Sequence, residues 1–374
     1  MPTIHGDTEG SLTWFQRGGA QNLEGDGSQS SELIINILYG DADRLLWFAR
    51  GGDDVLTGGS GFSVSNALYG DADQMLGFTH GGSDALTGGT GEFVSNTLVG
   101  DARQISGFSQ GGDDLLQGGA GNAFGTDGLH GDALEMSGFA RGGDDRLVGG
   151  AASSSTLIGD AAVMSGFARG GDDMLTGPLG RSSRGGITLL GDAETMSGYA
   201  RGGDDVFVHT SSGIADAIFI GDADTLSKHA HGGNDTVVGY AFSPINTLLG
   251  DARFLLDQAQ GGDDRLVSAE GSFDRMWGDA LQADPGVHTG RDTFVFAPNN
   301  GQDQIYDFEQ GKDVIDLTAL AASGVYGMAD LNIESGSIFE LEEVYTGSTI
   351  RFSATDFIFV ADILEIRPDD FLFG

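Results

Sequence analysis

Two aspartates recur along this chain at a fixed separation. The tripeptide Gly-Asp-Ala puts its Asp at 41, 71, 101, 132, 160, 192, 222, 251 and 279, and a mostly Gly-Gly-Asp-Asp motif puts its last Asp at 54, 84, 114, 145, 173, 205, 235, 264 and 292. The two stand 13 residues apart in every unit, whereas the distance from the second motif to the next Gly-Asp-Ala ranges from 15 to 19. A constant segment marks demanding geometry, and an elastic one marks a tolerant loop. Carboxylates repeated in this way can cap backbone turns or gather a hard cation.

The elements that must position these carboxylates follow from the same repeat, whose units are 28 to 32 residues long. Three residues before each first Asp stand Leu38, Leu68, Leu98, Leu129, Leu157, Leu189, Phe219, Leu248 and Met276. Two after each second Asp stand Leu56, Leu86, Leu116, Leu147, Leu175, Phe207, Val237, Leu266 and Phe294. Isolated inward residues beside Gly-rich turns suit strands of three or four residues, stacked at about 4.8 Å into parallel sheets with side chains in columns. The expected fold is a mainly β repeat solenoid, a parallel β-roll. Between the two motifs, Ala72, Met75, Phe78 and Thr79 are spaced 3, 3 and 1, as are Ala133, Met136, Phe139 and Ala140. That spacing predicts one short helix per rung, with an Asp before it and Gly-Gly after it as caps. Residues 1–27 form a degenerate first unit: Gly6-Asp7 and Arg17-Gly18-Gly19 are present, but Ala20-Gln21-Asn22 replaces the acidic pair.

Stacking brings like charges together. At 4.8 Å two carboxylates repel by roughly 0.9 kcal/mol even in bulk water. Eight neighbouring pairs in one column cost about 7 kcal/mol, comparable with the 5–15 kcal/mol stability of a typical domain. The chain has 56 Asp+Glu against 18 Lys+Arg, a net charge of -38, so its own cations cannot neutralise the columns. Calcium, with its flexible all-oxygen coordination, can. The same acid excess argues against nucleic acid, anionic lipid and polyphosphate as partners and favours cations. No cysteine is present, so neither disulfides nor thiolate metal sites arise. No apolar run reaches the roughly 18 residues of a membrane span, and Met1 to Gly19 lacks the pattern of a cleaved signal peptide.

The segment Gly-Gly-Asp-Asp-Val-Leu-Thr-Gly-Gly-Ser-Gly at 51–61, with counterparts at 111–121 and 142–150, resembles the glycine-rich nonapeptide of the RTX (repeats-in-toxin) family of secreted calcium-binding proteins. The resemblance implies several calcium ions held between turns by Gly-rich carbonyls and by Asp54, Asp84, Asp114, Asp145, Asp173, Asp205, Asp235, Asp264 and Asp292. It makes Asp53, Asp113, Asp144, Asp172, Asp204 and Asp263 helpers. Asp41, Asp71, Asp101, Asp132, Asp160, Asp192, Asp222, Asp251 and Asp279 either cap their helices or add ligands. The chain departs from the family pattern in carrying about 12 residues per unit beyond two nonapeptides, and in placing Ser83, Asn234 and Arg291 where the first Asp belongs. Calcium confined to one edge of a modified roll is the expectation.

The repeat spacing changes near residue 290, dividing the chain into a cap at 1–27, a solenoid at 28–289 and a small β module at 290–374. Asp-Val-Ile-Asp-Leu at 313–317 and Asp-Phe-Leu-Phe at 370–373 make this last stretch similar to the C-terminal module of serralysin-type RTX proteases. There it caps the solenoid and carries an uncleaved type I secretion signal. The resemblance implies export by type I machinery without an N-terminal signal peptide, and folding on extracellular calcium.

No His-Glu-x-x-His, Gly-x-Ser-x-Gly or phosphate-binding loop is present. One place departs from the column rules: Tyr199, Lys228, His229, His231 and Asp257 fall on three consecutive rungs where most rungs carry Gly, Phe or Arg. These residue types could move a proton in a lyase, epimerase or isomerase. The competing account is a fraying array with a surface Lys228–Asp257 pair. A threonine-rich adhesive face is poorly supported, because Gln117, Val148 and Val208 interrupt the column of Thr57, Thr87 and Thr176. What the exterior binds is left open.

Overall fold

The computed structural model describes residues 3–120, 122–178, 186–208 and 216–374. The chain winds into a three-sided solenoid, each coil contributing one strand to each of three sheets of 14, 10 and 12 strands. One coil shows the pattern. Gly61–Tyr69 lies on the first face, Ala72–Gly77 on the second and Ala85–Thr87 on the third, before Gly91–Val99 returns to the first.

Pairing between coils is parallel and keeps like residues together. Leu68 pairs with Leu98, Leu98 with Leu129, and on the third face Leu56 with Leu86 and Leu86 with Leu116. The two leucine columns meet in one continuous core. Each such side chain is fully buried, a gain of roughly 1.5–3 kcal/mol over exposure. A second, narrower core of Ala72, Met75, Ala102, Ile105 and their equivalents lies under the second face. The expected β-roll thus holds, with a third face added.

The expected helix does not form. The segment between the motifs is the second-face strand, and among the described residues the helical turns are three short 3-10 segments within 318–370. The three-residue spacing of Ala72 and Met75 comes from a bend. Asp73 and Gln74 both face outward, and the pairing passes from Ala42–Ala72 to Arg44–Gln74 without Asp73. Phe78 is not core either: it stands 47% exposed, while Thr79 beside it is buried. A helix would hide its hydrogen bonds within one coil, whereas a strand spends them on the two neighbouring coils and extends the stack.

The turn after this strand explains a glycine column. Gly77, Gly107, Gly138, Gly166 and Gly198 all have φ between 76° and 109°, where glycine is unstrained. Trp47, Lys228 and Asp257 occupy the same corner at φ 67°, 65° and 62°. Near residue 290 the second face ends with Ala280–Ala283, but the other two continue through Thr293–Val295, Gln302–Ile305, Val314–Asp316, Phe357–Ala361 and Phe371–Leu372. An antiparallel hairpin, Asn332–Glu340 with Glu343–Arg351, joins the first sheet beside Phe357–Ala361.

The corner geometry predicts opposite effects for two substitutions. Gly138→Ala puts a side chain at positive φ against the Gly107 backbone and costs about 1–2 kcal/mol. Lys228→Gly relieves the same conformation and gains up to about 1 kcal/mol, read as shifts in urea midpoint under matched conditions.

Candidate metal centre

The fixed 13-residue segment is closed by a hydrogen bond. The carboxylate of each Gly-Asp-Ala aspartate accepts the N–H of the second glycine in the turn of its own coil. Gly52 donates to Asp41 at 2.9 Å, Gly143 to Asp132 at 2.8 Å, Gly171 to Asp160 at 2.9 Å and Gly203 to Asp192 at 2.8 Å. Asp71, Asp101, Asp222 and Asp251 do the same for Gly82, Gly112, Gly233 and Gly262. These residues therefore cap a turn, not a helix. Their side chains sit in the interior at 0% exposure.

The last Asp of Gly-Gly-Asp-Asp forms a second interior column, linked from coil to coil. The N–H of Asp54 donates to Oδ1 of Asp84 at 2.6 Å, Asp84 to Asp114 at 2.7 Å, Asp114 to Asp145 at 2.7 Å and Asp145 to Asp173 at 2.7 Å. Asp173, Asp205, Asp235 and Asp264 continue the chain to Asp292. One oxygen of every carboxylate is used in this way. The other is not: Oδ2 of Asp54, Asp84, Asp114, Asp145, Asp173, Asp205, Asp235, Asp264 and Asp292 is buried without a hydrogen-bond partner. So is one oxygen of Asp41, Asp132, Asp160, Asp192, Asp222 and Asp251. A buried carboxylate oxygen left unpaired is costly, so this arrangement asks for protons or for cations.

The surroundings favour an oxygen-seeking ion. Beside Gly131, the carbonyl oxygen of Gly159 and Oδ2 of Asp145 converge on the space a Cβ would fill, and the same pair of atoms recurs beside Gly100, Gly159 and Gly191. Glycine before each Gly-Asp-Ala aspartate is thus a requirement of the site. Carboxylate and carbonyl oxygens without nitrogen or sulfur suit a hard divalent cation. Among the described residues no three acidic or imidazole groups form a preformed cage. A cation here would draw carboxylates from the two columns and fill its shell from the backbone.

The first Asp of the motif goes elsewhere. Asp53, Asp113, Asp144, Asp172, Asp204 and Asp263 lie on the solvent side, because successive residues of an extended turn point to opposite sides. They form an outer ladder, with the N–H of Asp144 donating to Asp113, that of Asp172 to Asp144 and that of Asp204 to Asp172. The structure does not bring them to the interior oxygens. Two further aspartates, which the repeat spacing does not reveal, extend the inner columns: Asp313 accepts the N–H of Asp292 at 3.0 Å, and Asp307 that of Asp279 at 3.0 Å. Their positions break the 13-residue rule, but Asp313-Val314-Ile315 keeps the Asp-x-apolar signature.

The candidate proton-transfer residues share an edge of the solenoid without forming a constellation. Tyr199 and His229 stack at 4.9 Å, and Asp257 accepts the main-chain N–H of Lys228 at 3.3 Å. No ion pair joins the Lys228 and Asp257 side chains among the described residues. His231 belongs to the row of Arg201, and its pKa is lowered by burial and then by Arg201 and His229.

Fold and site together define an RTX-type repeat solenoid with interior carboxylate columns. The family described as peptidase M10 serralysin C terminal matches residues 122–340, more than half of the chain, and the chain belongs to it. No curated protein and no solved structure matches.

Burial gives the metal-free columns a signed pH dependence. It pushes Asp71, Asp132 and Asp192 up to about 6 and Asp54 up to about 7, and lifts Asp114, Asp145 and Asp173 well above the usual range. Unfolded Asp titrates near 3.9, so the folded chain binds more protons between that pH and the raised values. This contribution to stability is fully present below about pH 4 and is lost as pH rises through 6 and 7. In chelator, β-structure measured by circular dichroism is expected to be greater at pH 4.5 than at pH 7.5.

Proposed function

We propose that this is a secreted protein whose solenoid is folded by several calcium ions. The observation that carries the reading is the file of buried, unpartnered Oδ2 atoms from Asp54 to Asp292. In the cytosol, where calcium is scarce, the columns repel and the chain stays loose enough for export by a type I route. Outside, calcium replaces the missing protons and binding energy becomes folding energy. The segment 290–374 serves as cap and export signal, in keeping with family membership and with the two sheets it extends. No helix among the described residues is long and apolar enough to cross a membrane.

The inner column from Asp54 to Asp264 supplies the principal ligands, and Asp71, Asp101, Asp132, Asp160, Asp192, Asp222 and Asp251 face it with the secondary ones. The outer aspartates attract cations to the surface rather than enclose them. The lyase or isomerase alternative is weaker, since Lys228 and Asp257 are accounted for as corner residues.

A calcium titration followed by far-UV circular dichroism tests the proposal. The expected result is a cooperative gain of β-structure at about 0.1 to 1 mM calcium at neutral pH, the range of extracellular modules. Asp173→Asn keeps an acceptor for the Asp145 N–H but weakens the cation site, and should raise the calcium midpoint about tenfold, or ~1.4 kcal/mol. A chain equally folded and equally protease-resistant in chelator and in calcium at pH 7.5 would sink the reading.

A further inference from the structure

The same coils carry a feature that interior cations do not explain. An unbroken file of rings runs along the outside from Phe15 to His229, one per coil, with centroids 4.9–5.4 Å apart and planes within 16° of parallel. Stacking occupies the ring faces and leaves the edges to solvent: Phe108 and Phe139 remain 52% and 49% exposed. Two residues on, in strict register through main-chain bridges, runs a row with Arg17 and Arg50, then His80 and Gln110, then arginine on three consecutive coils at Arg141, Arg169 and Arg201. A groove of about 500 Å³ follows the two rows, with Phe108, Phe139 and Phe167 lining it along with Arg141, Arg169 and Arg201.

The arginines are out of character with the rest of the chain. Acids outnumber bases by 56 to 18, yet none of these five guanidinium groups makes an ion pair among the described residues. Nor do they lie over the rings, since the cation–π contacts among the described residues belong to Arg275 and Arg351. The outer aspartate ladder begins only three residues further along, at Asp144, Asp172 and Asp204, and still does not pair with them. Aromatic stacking accounts for the rings as a stabilising ladder. It does not account for an unneutralised row of positive charge beside them.

We propose that this groove binds a linear acidic polysaccharide lying along the solenoid axis, with one anionic sugar on each of the three coils of Arg141, Arg169 and Arg201. The period decides among extended anions. The rows repeat at about 5 Å, close to the length of one pyranose with its glycosidic oxygen. A β-strand peptide presents side chains to one face only every ~6.7 Å and slips out of register within a few coils. Single-stranded nucleic acid needs free aromatic faces for its bases, and here ring–ring stacking uses them. Ring edges form an apolar floor for sugar C–H groups, while each guanidinium offers a planar fork to a carboxylate or sulfate. The groove requires folded coils but does not depend on which cation folds them.

The test uses the full chain, with circular dichroism confirming the fold in each sample. Calorimetry is run with an oligogalacturonate, a sulfated dextran, an uncharged cello-oligosaccharide and single-stranded DNA. Binding of either acidic polysaccharide, weakened by salt and reduced at least tenfold by combined Arg141→Gln, Arg169→Gln and Arg201→Gln, is the expected result; preference between the two identifies carboxylate or sulfate. Asp144→Asn, Asp172→Asn and Asp204→Asn together should leave binding intact or tighten it. Equal binding by the arginine variant would mean that bridging cations on the outer aspartates hold the polymer, and would overturn the proposal. So would tighter binding of DNA or the uncharged glucan, or no binding of either acidic polymer at millimolar sugar.

Discussion

In-register parallel stacking is the constraint from which the rest of this molecule follows. Each coil satisfies its main-chain hydrogen bonds on the next, so a residue type chosen once is placed about 5 Å from its own copy along the array. Apolar choices benefit: Leu68, Leu98, Leu129 and Leu157 build a core with no need of long-range design. Aromatic choices stack. Charged choices repel, and a charged residue facing inward adds a desolvation cost to that repulsion. Two columns of interior aspartate are therefore the most expensive feature of the fold, and every added coil enlarges the charge to be neutralised.

Glycine placement follows from the same columns. From Gly40 to Gly250 the residue before each Gly-Asp-Ala aspartate lies where a carbonyl oxygen and an unpartnered carboxylate oxygen meet, so any side chain would push those two atoms apart. The glycine after the second-face strand is demanded instead by backbone conformation at the corner. Trp47, Lys228 and Asp257 occupy that corner at the ends of the array, and Trp47 offsets its strain by stacking on Trp14 at 5.6 Å. What looks in sequence like a polar cluster is, at Lys228 and Asp257, a loss of glycine at a left-handed position.

Much of this is legible in the amino-acid sequence, because a repeat reports its own register. The two leucine columns, the parallel stack and the two aspartate columns follow from spacing, and the special status of the second Asp comes from the resemblance to the RTX nonapeptide. The second-face strand does not, because Ala72 and Met75 lie three apart on a strand that bends at Asp73, and period alone cannot separate a bent strand from a short helix. Phe78 and its equivalents mislead for a related reason: hydrophobicity suggests core, but a ring repeated every 5 Å can bury its faces against its own copies on the outside. The Gly-Gly turn as the partner of Asp41 and its equivalents is hidden because a hydrogen bond spanning 11 residues has no local signature. Asp307 and Asp313 escape the pattern because the period itself ends there.

The inside and outside of the solenoid pose the same electrostatic problem with opposite solutions. Inside, like charges are concentrated where water cannot reach, and only bound ions or protons relieve them. Outside, the acidic ladder from Asp113 to Asp204 is relieved by solvent and needs no partner. Against that background a row of arginines kept clear of carboxylates has a different meaning from the same row on a neutral protein. Ions that fill the interior reduce the long-range negative field without touching the groove, so filling the columns would both build the surface and uncover its charge. The rigid 5 Å period that crowds the aspartates inside is also what sets the rings and the arginines in register outside.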